Sequence, residues 1–378
     1  MTNSSSSPSA DRPVQAAFVI EQTLGHVTFG QNLNTILAHH PRLIPTFVHI
    51  PYEMPGWASW IPGYSNWTIR SGVRARRALR AEARKTDIDV MFVHTQVPTF
   101  MLRRWMERIP TVVSLDATGE QYDEFGEHYE HRRSTGPVEW WKKRAAKRAY
   151  GRARHIVAWS EWARDGLVDQ YGVTPERVTV IAPGVNVEQW KRSGAPPDDT
   201  VIKILFVGGD LVRKGAPMLL DVVRRLLRDD SLPPFELHMV TTGELASEPG
   251  IVVHRGMKPN SADLIALYHS SHIFCLPTLG DCLPMVLAEA GEVGLAVVST
   301  DVGAIREIVD DERTGLLIPV GDADRLESAL RRLITDPALR ARLGGSAHEL
   351  VRSHFDAGIN ANRLADVLIE IAGRQATP

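Results

Sequence analysis

Twelve short apolar runs, each followed by a stretch long enough for a helix, recur along this chain in two sets of six. Strands buried on both faces by helices read as continuous apolar runs, so this alternation points to βαβ units and parallel sheets. The first set is Val14–Ile20, Thr46–Ile50, Val90–His94, Thr111–Leu115, His155–Trp159 and Val178–Ile181. The second is Ile202–Val207, Phe235–Val240, Ile251–His254, Ile273–Leu276, Ala296–Ser299 and Gly315–Ile318. Between them lies PGVNVEQWKRSGAPPDDT, residues 183–200, whose Pro, Gly and Asp content marks a linker. With 378 residues, each set has enough chain for its own core. The expected architecture is α/β, with two Rossmann-like parallel-sheet domains at residues 14–182 and 201–355 facing across a cleft. Residues 1–13 are expected to be a disordered tail, and residues 356–378 a last helix free to pack back on the N-terminal domain.

Composition removes several function classes. A net charge of −2 argues against a general nucleic-acid binder. The total hides an asymmetry: residues 1–185 carry 23 Lys and Arg against 18 Asp and Glu, and the remainder 20 against 27. Two cysteines, Cys275 and Cys282, cannot make a disulfide framework, and the N-terminus has no apolar run of the kind secretion requires. A cytoplasmic protein is expected. No apolar segment approaches the ~20 residues that span a bilayer, which leaves membrane contact peripheral.

Two segments invite such contact. Residues 57–80, WASWIPGYSNWTIRSGVRARRALR, combine three tryptophans with a run of arginines, and residues 139–154 place seven Lys and Arg after one Glu. Basic faces with tryptophans suit an interfacial helix on anionic lipid, or phosphate contact. The commoner reading is a solvated helix face with its indoles in the core.

Several stretches carry candidate chemistry. FVGGDLVRKG begins as a strand, passes Gly208 and Gly209, which allow close backbone approach, and presents Arg213 and Lys214, which can neutralise a diphosphate. Residues 273–307 read as strand, loop through Asp281, and a helix with Pro284 at its first position. That helix start offers free N–H groups and the positive end of the helix dipole to an anion. Glu289 sits in this apolar helix. It is either a helix-flank carboxylate bonded to backbone or Arg, or a ligand-facing one. In the first half, Gly25 and Gly30 follow the first strand, where open α/β sheets bind ligands. No G-x-G-x-x-G or G-x-S-x-G occurs, and neither His nor Cys shows metal-ligand spacing. Asp87 and Asp89 form a D-x-D that precedes its strand and reads as a solvated turn. His94 ends a strand, either lining an acceptor site or serving as a structural histidine.

The ordered segments VGGDLVRKG, PTLGDCLPMVLAEA, VVSTDVGAIREIV and TGLLIPVGD resemble the nucleotide-binding half of the retaining, group 1 glycosyltransferases of family 4, which have the GT-B fold. The resemblance covers most of residues 183–355. The first half matches loosely, through GVN at 184–186 and the Gly25 loop. It implies that Arg213 and Lys214 hold the leaving diphosphate, and that Glu289 matches the second Glu of the family's E-x7-E motif, which binds the nucleotide ribose. The amides of Leu283, Met285 and Val286 would lie near phosphate, Pro284 having no N–H to give. Gly208 and Gly209 would belong to the donor site, and Gly25 would close over the donor from the other domain.

Two departures stand inside this pattern. Asp281 occupies the place of the first Glu of E-x7-E, one methylene shorter, and Asp116 falls where relatives carry a His near the reacting centre. Arg213, Lys214, Asp116 and Asp281 are thus the implied catalytic residues. The implied activity is a metal-independent, retaining hexosyltransferase with a UDP- or GDP-sugar donor and no resident cofactor. Its acceptor would be lipid-linked, a sugar or a natural product. A sugar-nucleotide epimerase on the same fold and a catalytically silent nucleotide-sugar-binding protein are the alternatives.

Overall fold

The computed structural model describes residues 12–22, 25–54, 56, 60, 63–126, 136–192, 194 and 197–373, the side chains of 137–139 excepted. Most of the tail reading for residues 1–13 therefore lies outside the described residues, as do Trp57 and the last five residues.

All twelve apolar runs form strands. The first sheet holds β1 (Val14–Gln22), β2 (Leu43–Pro51), β3 (Val90–His94), β4 (Thr111–Leu115), β5 (His155–Ala158) and β6 (Val178–Val180), in the order β2-β1-β3-β4-β5-β6. Every pairing is parallel, with Val14 opposite Leu43 and Ile20 opposite His94. Its helices are α1 (His26–Leu37), α2 (Trp67–Glu82), α3 (Arg103–Met106), α4 (Gly119–Glu124), α5 (Pro137–Arg152) and α6 (Glu161–Tyr171), with a 3-10 turn at Pro98–Met101.

Alternation along β1 explains the two cores of this sheet, because successive strand residues point to opposite faces. Ala17 and Val19 pack with Met91, Val93 and Val113 against Ala75 and Leu79 of α2, Tyr150 of α5 and Leu167 of α6. Ala16, Phe18 and Ile20 pack with Val90 and Phe92 on the other face, against Leu33 and Leu37 of α1. Fully burying each large side chain contributes about 1.5–3 kcal/mol.

The second half begins with α7 (Val187–Trp190), followed by β7 (Ile202–Val207), α8 (Ala216–Leu226), β8 (Phe235–Val240), β9 (Ile251–His254), α9 (Ala262–His269) and β10 (Ile273–Leu276). It continues with α10 (Met285–Glu292), β11 (Ala296–Thr300), α11 (Ile305–Ile308), β12 (Gly315–Ile318), α12 (Ala323–Thr335) and α13 (Pro337–His354). Its sheet is parallel, in the order β12-β11-β10-β7-β8-β9. The last helix, α14 (Ala357–Gly373), joins the first core: Ala361, Leu364, Ala365 and Leu368 pack with Phe18 and Phe92.

Contacts divide the chain into two units. One combines Met1–Gln121, Arg133–Pro183 and Ala357–Pro378; the other combines Tyr122–Arg132 and Gly184–Asp356. Much of the stretch read as a linker is thus built into the second unit. The Val185 amide bonds to Phe355 O, and the Trp190 indole donates to Asn260 Oδ1 at 2.9 Å. Arg192 donates to the carbonyls of Val293 and His269. Buried Trp190 makes this segment part of a core, which its Pro and Gly content concealed.

Candidate active site

Open α/β sheets bind ligands beyond the carboxyl ends of their strands, where the strand order reverses. In the second sheet that point lies between β7 and β10. β7 runs into Gly208 and Gly209, and the Lys214 stem lies over the first: a Cβ on Gly208 would come within 3.0 Å of Lys214 Cγ. On Gly209 it would approach Thr242 Oγ1 to 3.3 Å. Asp210 caps the turn, accepting from the Arg213 amide at 3.1 Å and from its Nε at 3.2 Å.

The loop after β10 is tied to this turn. Arg213 O accepts from the Leu279 amide at 2.7 Å, and Arg213 Nη1 donates to Gly280 O at 3.1 Å. The same Nη1 lies 3.8 Å from Asp281 Oδ2, to which the Lys214 ammonium also donates. Two glycines permit this closeness. Gly215 has φ +76°, and a Cβ there would sit 1.9 Å from Pro277 O. Gly303, at φ +59°, would place a Cβ 2.1 Å from Asp281 O. Arg213, Lys214 and Asp281 are therefore brought together, two cations around one carboxylate, with Gly208 beneath the lysine stem.

α10 follows this loop directly. Pro284 takes the extended capping position, one residue before the first helical position expected of it. Leu283 is buried and Met285 and Val286 are half-buried, at a helix start whose first amides have no intrahelical acceptors. Glu289 is almost fully buried, and the Tyr268 hydroxyl donates to its Oε2 at 3.2 Å. Burial pushes this carboxyl up to about 7, partly offset by the Tyr268 hydrogen bond. Tyr268 is itself fixed between Phe274, stacked at 5.5 Å, and Trp190, edge-on at 5.0 Å. The arginine-bonded carboxylate expected as one reading of Glu289 belongs instead to Glu292, which Arg352 Nη2 holds at 2.8 Å.

The first sheet reverses between β1 and β3, and a second polar cluster gathers there. Glu21 near the end of β1, His26 at the start of α1, His94 at the end of β3, Asp116 just beyond β4 and Trp159 just beyond β5 come from five separate stretches. His94 is fully buried and stacks on the Trp159 indole at 4.7 Å and 10°. The His26 ring stands edge-on to both, at 4.4 Å from His94 and 5.7 Å from Trp159. His26 Nε2 lies 3.8 Å from Asp116 Oδ2, and Glu21 accepts from Thr95 Oγ1 at 3.1 Å.

Electrostatics divides this cluster. Burial pushes Glu21 up to about 7, against the pull of His26 and Thr95. Burial would also raise Asp116, but the contact with His26 outweighs it and holds the carboxylate below its ordinary range. For His26 burial acts downward, yet Asp116 and Glu21 together raise it. His94 is driven well below the ordinary value, first by burial and then by the His26 charge. Ser114 Oγ and Trp159 Nε1 are buried without a partner among the described residues, the kind of orphan that marks functional ground.

Asp116 is thus partnered by a histidine, His26, just beyond the end of β4. Gly25 caps α1 at φ −66°, and among the described residues a Cβ there would meet nothing within 4 Å. Asp89 accepts from Arg12 at 2.7 Å and from the Gln15 amide at 2.9 Å, bracing the amino end of the sheet. Among the described residues no group of three or more His, Cys, Asp or Glu is placed to hold a metal ion. Sequence reasoning passed over Glu21, His26, Trp159 and Tyr268. The available signal was position: the first three all follow or end strands at the sheet's carboxyl edge.

Two family models match the chain. One described as Glycosyltransferase Family 4 covers residues 35–189, and one described as Glycosyl transferases group 1 covers residues 202–336. A D-inositol 3-phosphate glycosyltransferase from Streptomyces bingchenggensis is 30% identical over 58% of this chain and 53% of its own length. An MMP alpha-(1->4)-mannosyltransferase from Mycolicibacterium hassiacum is 24% identical over 80% of this chain and 74% of its own. The chain spans about half the length of the inositol-phosphate relatives it matches, 53% and 55% for two of them. Among solved structures, a sucrose-phosphate synthase from Thermosynechococcus elongatus has a TM-score of 0.77 at 15% identity, covering 96% of this chain and 100% of that one. Anabaena HepE, in complex with UDP and glucose, has a TM-score of 0.66 at 15% identity, covering 94% and 99%. Two parallel sheets with cation-bearing and carboxylate-bearing strand ends, matched in both halves by these models, place the chain in the group 1 glycosyltransferases of family 4, with the GT-B fold.

Proposed function

We propose that the protein transfers a hexose from a nucleoside diphosphate to an acceptor hydroxyl, with retention at the anomeric carbon. The observation that carries this reading is the pairing of Arg213 and Lys214 with Asp281 where the second sheet's strand order reverses. Preorganised cations aimed at developing negative charge stabilise it most where water is scarce, and Arg213 is only 7% exposed. As the anomeric carbon–oxygen bond breaks, the electron pair goes to the diphosphate, which Arg213, Lys214 and the start of α10 would stabilise. The acceptor oxygen bonds to the anomeric carbon from the same face, and its proton passes to a diphosphate oxygen. Two side-chain cations supply the charge that a divalent metal supplies elsewhere, so the reading asks for no metal and no resident cofactor.

Glu289 would accept from the ribose hydroxyls and Asp281 would face the donor sugar, while Asp116 with His26 would serve the acceptor. Relatives include a mannosyltransferase and inositol-phosphate glycosyltransferases, which supports a hexose donor and a polyol or sugar acceptor; the carrier in this reading is UDP or GDP. The test is Arg213→Ala combined with Lys214→Ala, assayed with a panel of UDP-, GDP-, ADP- and TDP-sugars. Transfer falls by at least about 10³ while the fold persists; unchanged turnover would sink the reading. For the wild type, the correct nucleotide at ~100 times its dissociation constant stabilises the fold by roughly 2.7 kcal/mol.

A further inference from the structure

Helix α5 separates its residues sharply. Ala146, Ala149, Tyr150 and Ala153 recur at helical spacing and are buried in the first unit's core. Trp140 and Trp141 point the other way, 62% and 58% exposed, beside exposed Lys142, Arg144, Lys147 and Arg148. A solvated amphipathic helix turns its indoles inward; this one sets them among its cations. The Arg144 guanidinium lies 5.2 Å from the centre of the Trp140 ring.

The apolar strip continues beyond α5. Trp141 stacks on Phe100 at 6.3 Å, and Phe100 belongs to the Pro98–Met101 turn. Met101 is 38% exposed and packs on Gly72 of α2, where a Cβ would come within 2.6 Å of Met101 Cγ. On α2, Ile69 and Val73 are exposed, followed by exposed Arg77 and Arg80. Ile69, Val73, Met101, Trp140 and Trp141 are thus exposed apolar side chains on elements joined by the Met101–Gly72 and Trp141–Phe100 contacts, with exposed cations on both α2 and α5. The chain as a whole carries a net charge of −2, so this concentration of positive charge is local.

Indoles settle at the depth of lipid headgroups, and lysine and arginine bury their stems there while reaching phosphates. Anionic headgroups add attraction within about 10 Å of the surface at ordinary salt. A nucleic acid would take the cations but has no use for Ile69, Val73 and Met101. Among the described residues no helix is long and apolar enough to cross a membrane, so contact of this kind is made by the surface. We propose that this face of the first unit docks on an anionic lipid bilayer. The proposal is independent of the sugar-transfer reading.

The test is co-sedimentation of the full chain with phosphatidylcholine vesicles, with and without about one third phosphatidylglycerol. Binding is expected with the anionic vesicles and should weaken as salt is raised. Trp140→Ser with Trp141→Ser should weaken it at least about tenfold. Lys147→Glu with Arg148→Glu should weaken it roughly 25-fold or more, about fivefold for each cation lost. All four side chains are exposed, so circular dichroism and thermal stability should match the wild type. Absence of sedimentation at low salt, or wild-type binding by the tryptophan variant, would overturn the proposal. A single-stranded RNA bound as tightly as the vesicles, or self-association abolished by the same tryptophan substitutions, would overturn it as well.

Discussion

The Tyr268 hydroxyl donates to the Glu289 carboxylate at 3.2 Å, in a setting whose burial holds that carboxyl near 7. An ionised carboxylate accepts from two hydroxyls, whereas a protonated one has lost part of that capacity. Nucleotide-sugar affinity should therefore tighten as pH rises through about 7, and Glu289→Gln should flatten the profile. Tyr268→Phe removes the bond that favours the charged form and should move the midpoint upward. For the fold the sign is opposite. A carboxyl raised from 4.5 to about 7 lends stability that is fully present below its unfolded value and lost as pH rises through about 7, about 3 kcal/mol in all. Melting temperature against pH for wild type and Glu289→Gln checks this, the variant losing part of the alkaline decline. Glu21, also raised to about 7, and His26 contribute to the decline that remains.

Asp281 anchors both Lys214 and Arg213, so it positions cations as well as offering an acceptor. Asp281→Asn should lower kcat/KM roughly 10–100-fold with every donor, since the cations lose their common partner. Asp281→Glu keeps the charge and adds one methylene. The expected outcome is a changed ratio of kcat/KM between donor sugars, measured across a panel; an unchanged ratio would remove Asp281 from sugar selection.

His26 is raised by Asp116 and Glu21, and it stands 3.8 Å from the former. A histidine raised on folding lends stability that is fully present below its unfolded value, near 6.5, and is lost as pH rises through the folded one. Asp116→Asn should lower the His26 midpoint in a proton NMR titration and cost stability on the acid side. If the pair serves the acceptor, the variant loses transfer while donor binding in a thermal-shift assay is retained. Equal loss of both would place the pair elsewhere in the reaction.

Gly215 and Gly25 make opposite demands. At Gly215, φ of +76° and the Pro277 carbonyl 1.9 Å from a would-be Cβ leave an alanine no accommodation. Gly215→Ala should cost about 2 kcal/mol or more, read as a fall in denaturation midpoint, and should disturb Arg213 through the Leu279 bond. Gly25→Ala should leave stability within about 0.5 kcal/mol. A fall in donor affinity at unchanged stability would show that substrate, not the fold, needs the glycine.

The strands were legible because parallel strands buried on both faces read as short, mostly apolar runs, as in IFCL at 273–276 and AVVST at 296–300, where the sequence reading stopped one residue short, at Ser299. The grouping of Gly208, Arg213, Lys214 and Asp281 at the β7–β10 reversal was legible for the same local reason, since they lie in continuous motifs. The cluster of Glu21, His26, His94, Asp116 and Trp159 was not. Its members are spread over 139 positions and meet only through the β1-β3-β4-β5 pairing, which no local spacing encodes. Tyr268 sits in an ordinary amphipathic helix and acquires meaning only from Glu289. The face of α5 was half-visible: Ala146, Ala149 and Tyr150 already mark the inward side at helical spacing, which sets Trp140 and Trp141 outside.

Helix α14 packs its Ala361, Leu364, Ala365 and Leu368 onto Phe18 and Phe92 of the opening strands. A ribosome makes those strands well before this helix, with the whole second sheet emerging in between. During synthesis one apolar side of the first sheet therefore waits, covered only in part by α1, until the second sheet has emerged, so the two units are not completed in chain order. A chain cut short after Asp356 would lose no strand, yet Phe18 and Phe92 would lose the cover of Ala361, Leu364, Ala365 and Leu368, leaving α1 alone over that face.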